Sequence, residues 1–145
     1  MAFTDVTVVV PVDFSPQSEF AVRSAMSIAA DPQRLHIVHV LMPLDSISPG
    51  VLLGDVSDKK RTEAVKTNMD KLAREQGAVG AKEVVLFGDP GLQIADYARS
   101  VEADLIVIPS HGYHGIKRFV LGSVAERVIR HAECSVLVLR RSDAE

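Results

Sequence analysis

The chain has 145 residues, 47% of them hydrophobic and 24% charged, with a formal net charge of −3. That length and apolar content give one domain a sizeable core and exclude disorder of the whole chain. The slightly acidic balance leaves no basic footprint for a nucleic-acid duplex, whereas a free nucleotide needs only local donors.

The opening MAFTDVTVVV has no basic leader ahead of a long apolar run. Val6 to Val12 is a β-branched run and reads as a strand. Ser15-Pro16 follows as an N-cap with proline at the first helical position. Phe20, Ala21, Ala25, Ile28 and Ala29 then recur at helical spacing, so a helix is predicted to about Ala30, where Asp31-Pro32 stops it. Leu35 to Met42 is a second strand. The prolines, glycine and serines from Pro43 to about Val56 predict a long loop. Lys59 to Gln76 places Ala64, Val65, Met69, Leu72 and Ala73 on one face, an amphipathic helix ended by Gly77.

Glu83 to Phe87 is a third strand, and Gly88-Asp89-Pro90-Gly91 a turn. Leu92, Ile94, Ala95 and Ala98 support a third helix. Asp104 leads into LIVIP, an apolar strand of the kind buried on both faces. A glycine-bearing loop spans Ser110 to Gly122. Ser123 to His131 is a fourth helix, with Ser123 and Glu126 spaced as a capping box. Cys134, the only cysteine, is expected to be a small core residue in a reducing compartment. Val136 to Leu139 is the last strand. No stretch reaches the roughly 18 apolar residues of a membrane helix, so a cytoplasmic protein without membrane contact is expected.

This β-α-β-α-β-α-β-α-β order predicts a single doubly wound α/β domain over residues 1–145, a five-stranded parallel sheet with two helices on each face. Ligands of such sheets bind at the carboxyl ends of the strands, where strand order reverses. Asp13, just past the first strand, can accept hydrogen bonds from a ribose hydroxyl or a base amine. A turn aspartate satisfied by nearby backbone N–H groups accounts for the same residue. The loop PSHGYHGIKRFVLGSV, from Pro109 to Val124, lets backbone approach a ligand at Gly112 and Gly115. Gly122-Ser123 opens a helix whose free N–H groups and dipole suit phosphate. A surface loop without ligand remains the alternative. His111 and His114 lack a third metal ligand nearby in sequence, His36 and His39 read as packed or edge histidines, and Lys117 and Arg118 read as a solvated face, with contact to a phosphate tail the alternative. There is no G-x-x-x-x-G-K-[ST] loop, G-x-G-x-x-G fingerprint or G-x-S-x-G elbow.

Nearly end to end, the chain resembles the universal stress protein family. The resemblance lies in VVVPVDFSPQSEFAV, LHIVHV, GDPGLQIADYA and above all DLIVIPSHGYHGIKRFVLGSVAERVIRHAECSVLVLR. ATP-binding members carry G-x2-G-x9-G-[ST]. Here Gly112, Gly122 and Ser123 match that spacing, and Pro109 stands in the place of the first glycine. Proline has no N–H, so a ligand contact through that group would be lost, and restoring glycine would leave binding equal or tighter. The resemblance implies strand order 3-2-1-4-5 and a homodimer through the last strand. It also implies Pro11, Val12, Asp13 and Val40 around adenine and ribose, with Ile108, Pro109, His111, Gly112, Gly122, Ser123 and Val124 toward ribose and phosphates.

The leading expectation is an ATP-binding module of stress response or regulation, with Mg²⁺ or Mn²⁺ held by the phosphates, an unidentified regulatory protein partner, and slow hydrolysis at most. A family member that binds no nucleotide and acts through protein contacts is the alternative, favoured by Pro109. An enzyme acting on adenylate lacks a visible general base. A phosphoacceptor receiver domain would need an aspartate such as Asp89 at the end of the third strand.

Overall fold

The computed structural model describes residues 5–43, 58–110 and 121–140. The elements are β1 (Val8–Pro11), α1 (Pro16–Ala29), a 3-10 turn (Pro32–Arg34), β2 (Leu35–Leu41), α2 (Asp58–Glu75), β3 (Lys82–Phe87), α3 (Pro90–Ser100), β4 (Leu105–Pro109), α4 (Ser123–His131) and β5 (Ser135–Leu139). The strands form one parallel sheet in the order β3-β2-β1-β4-β5, as the alternation and the resemblance predict.

Alternation along each strand divides the core into two layers. Val8, Val10, Leu35, Ile37 and Val107 pack against Val22 and Ala25 of α1 and Val65, Met69 and Leu72 of α2. Val9, Val38, Ile106 and Ile108 pack on the other face against Ile94 and Ala98 of α3 and Ala125 and Val128 of α4. Strands β1 and β4 bury both faces, which explains why they read as unbroken apolar runs.

Boundaries differ from the sequence expectation where a proline or a cap decides them. The first strand is Val8–Pro11 rather than 6–12, and just past its end the Val12 N–H still donates to Val38 O at 2.8 Å. Ser15 is the N-cap of α1, but its side chain makes no cap bond, and its buried hydroxyl has no partner among the described residues. The Ser123–Glu126 capping box does not form. Gly122 is the N-cap of α4, Ser123 is already helical, and Glu126 accepts from Arg130 at 2.7 Å. The 43–56 loop lies almost wholly outside the described residues.

Helix α3 is capped by Asp89, whose carboxylate accepts the Leu92 N–H at 3.0 Å and pairs with Arg127 of α4 at 2.9 Å. Those contacts hold its carboxyl below the usual range, the Leu92 bond contributing most. Gly91 lets the two helices come this close, since a Cβ there would stand 2.5 Å from Arg127 Cβ. The receiver-domain reading fails here, because the strand order puts β3 at an edge and Asp89 is a helix cap.

His36 is buried on the α3 side and shares a 2.7 Å hydrogen bond between its Nδ1 and Tyr97 OH. Burial, and then the charge of Lys82, lower its pKa from 6.5. A histidine whose folded pKa lies below its unfolded one contributes stability that is complete above the unfolded value and is lost as pH falls. The urea midpoint is therefore expected to fall as pH drops below about 6.5. A His36→Gln variant should lose that component, and an unchanged pH slope in it would show that His36 is not the titrating group.

Candidate functional site

Pro11, Val12 and Asp13 lie at the carboxyl end of β1, Ile108 and Pro109 at that of β4, and Val40 toward that of β2. Gly122, Ser123 and Val124 form the N-cap and first turn of α4. His111 and Gly112 lie outside the described residues, as do His114, Gly115, Lys117 and Arg118. The sheet thus brings the β1 and β4 ends side by side, where strand order reverses.

The β1–α1 corner is closed by a small network. Asp13 Oδ1 accepts from the Ser15 N–H at 3.0 Å and from the Ser18 hydroxyl at 2.9 Å. The Asp13 N–H donates in turn to Ser18 Oγ at 2.9 Å. The i to i+2 bond is an Asx turn, so the turn aspartate weighed from the sequence is present. The Asp13 residue is nevertheless exposed. Phe14 adopts φ 64°, a conformation costly for a bulky side chain, and its ring packs 4.9 Å from that of His39. His39 Nδ1 donates to Val12 O at 2.6 Å, tying β2 to the same corner.

The β4–α4 side is fixed by backbone. The Ser110 N–H donates to Leu139 O at 2.8 Å, and the Gly122 N–H donates to Ser110 O at 2.6 Å. Helix α4 therefore starts directly beside the end of β4. Its first hydrogen bond is from the Glu126 N–H to Gly122 O, and no side chain caps it. The N–H groups of Ser123, Val124 and Ala125 accordingly have no acceptor within the helix, and the positive end of its dipole lies there. One end of the site offers acceptors and the other offers donors. A donor end of this kind suits an anion such as a phosphate group.

The profile of the universal stress protein family matches residues 7–140. The chain belongs to the universal stress protein family. A universal stress protein of Methanocaldococcus jannaschii is 35% identical over 144 residues, covering 95% of this chain and 84% of the relative. Among solved structures, a universal stress protein in complex with cAMP is 26% identical, with a TM-score of 0.66, covering 96% of this chain and 100% of that one. One from Archaeoglobus fulgidus in complex with dAMP is 28% identical, with a TM-score of 0.61, covering 93% and 98%.

Ser18, His39, Phe14 and Ser110 were not singled out for the site from the sequence. Ser18 had a local signal, since it falls one helical turn beyond the Asp13–Ser15 pair. His39 and Ser110 had none, because their partners are set by neighbouring strands. Among the described residues no cluster of three His, Cys, Asp or Glu side chains could hold a metal, and no helix is long and apolar enough to cross a membrane.

Proposed function

We propose that this universal stress protein is an ATP-binding module of stress response or regulation, one domain over residues 1–145. The observation that carries the proposal is the uncapped start of α4, with three backbone donors beside the end of β4 and across from Asp13. The cAMP and dAMP complexes of related proteins support an adenine nucleotide as the ligand. In this reading Pro11, Val12, Asp13 and Val40 surround base and ribose. Ile108, Pro109, Gly122, Ser123 and Val124, together with His111 and Gly112, lie toward ribose and phosphates. Mg²⁺ or Mn²⁺ travels with the phosphates, held by them and by water. The module acts in the cytoplasm by changing its contacts with a regulatory protein, and no side chain is assigned a catalytic role.

The proposal includes a homodimer through β5. That strand is the sheet edge, and Leu137 on it is exposed. Paired edges related by a two-fold axis run antiparallel. Light scattering at micromolar concentration should give twice the chain mass; a monomer contradicts it.

The second reading, a member that works without nucleotide, is favoured by the Asp13 carboxylate already serving the β1–α1 turn. Calorimetry with ATP and Mg²⁺ separates the two. Heat and a thermal shift at or below millimolar ATP are expected, and neither at millimolar ATP establishes the second reading. Gly122→Val should abolish binding by placing a branched side chain where the phosphates approach. A folded Gly122→Val protein with unchanged affinity would put the phosphates elsewhere.

A further inference from the structure

Helix α4 carries the donors of the candidate site, yet it has only nine residues. A helix that short does not hold itself in place, and its direction comes from what it packs on. Ala125 and Val128 are buried on the sheet side, and Glu126 spends its carboxylate on Arg130 of the same helix. Two ion pairs tie the α4 region to α3. Asp89, at the start of α3, meets Arg127 at 2.9 Å, and Arg99, near its end, meets Glu133, just past the end of α4, at 3.2 Å. The two helices therefore run side by side in the same direction, with one pair toward each end.

The two pairs are both exposed, but only the first is built into backbone. The Asp89 carboxylate divides its oxygens: Oδ2 accepts the Leu92 N–H and caps α3, while Oδ1 accepts from Arg127 Nη1. The stem of Arg127 lies directly on the first turn of α3, because Gly91 has no side chain there. A Cβ on Gly91 would stand 2.5 Å from Arg127 Cβ and 2.6 Å from its Cγ. Arg127 is thus gripped by α3 at its stem and at its guanidinium. It also follows Ser123 by four residues, about 6 Å along the helix axis, so the grip falls within one turn of the free N–H groups. The Arg99–Glu133 pair lies at the other end of α4, away from them.

We propose that Arg127 is a positioning residue for the phosphate end of the site: seated on Gly91 and held by Asp89, it keys the start of α4 to α3 and so aims the N–H groups of Ser123, Val124 and Ala125. This inference rests on the nucleotide reading of the site. Arg127 acts through the helix and does not touch the ligand. The β3–α3 corner, which supplies no ligand contact of its own, thereby sets how well phosphate fits.

The test is Asp89→Ser. Serine caps a helix about as well as aspartate, but its one oxygen goes to the cap and leaves none for Arg127. In the ligand-free variant the amide signals of Ser123, Val124 and Ala125 should shift. ATP affinity, read by calorimetry, should fall about two- to fivefold, the most that an exposed ion pair carries. Arg127→Met keeps the stem, removes the charge and should lose as much. Arg127→Lys should recover affinity, since a single N–H···O contact does not need the guanidinium fork. The losses should not add, so Asp89→Ser should cost nothing further in the Arg127→Met background. Glu133→Gln breaks the other pair between the same helices and should leave affinity unchanged, which a general loosening of α4 would not. Tighter ATP binding by Asp89→Ser would make Arg127 a direct phosphate contact and overturn the inference. Unmoved amides, additive losses or an equal loss in Glu133→Gln would overturn it as well. If the unaltered protein binds no ATP, the nucleotide reading fails and takes this inference with it. If it binds ATP and Asp89→Ser binds equally well, this inference alone fails.

Discussion

A right-handed crossover from β1 leads outward to β2, and one from β4 leads outward to β5, so the chain leaves these two central neighbours in opposite directions. The helices that follow, α1 and α4, pack on opposite faces. At the two carboxyl ends the described β1/β4 pairing stops at Val9 and Ile106. Every feature of the candidate site depends on this reversal. The outer ladders run on past that point, to Pro11 and Pro109.

Each side of the gap is held firmly by groups that would not themselves touch a ligand. On the β1 side, Ser18 satisfies both the N–H and one carboxylate oxygen of Asp13, and His39 takes the Val12 carbonyl. An unmade buried hydrogen bond costs about 1–3 kcal/mol, so such a corner resists rearrangement. It also holds Phe14 in a conformation that a bulky residue keeps only when its surroundings insist. On the β4 side, the Ser110 carbonyl fixes Gly122, and Asp89 with Gly91 sets the seat of α4 through Arg127. The donors of α4 and the acceptors of the β1 corner are thus placed before any ligand arrives, which lowers the ordering cost of binding.

Much of this is legible in the sequence because the punctuation is strong. Proline at position 16 marks the start of α1 and Asp31-Pro32 follows its end, and LIVIP reads as a strand buried on both faces. The α4 cap lies one residue before the position that the capping-box spacing predicts, since Gly122 and Ser123 both suit a helix start. What decides between them is the bond from Gly122 to Ser110, which holds Gly122 extended at φ −63° and ψ 153°. The roles of His39 and Ser110 have no local signal, since strand register alone gives them partners. Pro109 is conspicuous as a departure from the glycine motif, yet its sequence does not say which way the missing N–H would point.

The central claim is that ligand occupies the parting of β1 and β4, with phosphates on the start of α4. Backbone amide spectra recorded during titration with ATP and Mg²⁺ test it directly. The account predicts shifts concentrated at Val12 and Asp13, at Ser110 and at Ser123, Val124 and Ala125, with β3 and the amino ends of the strands unmoved. Saturable shifts centred on any other face, or none at millimolar ATP, would contradict it.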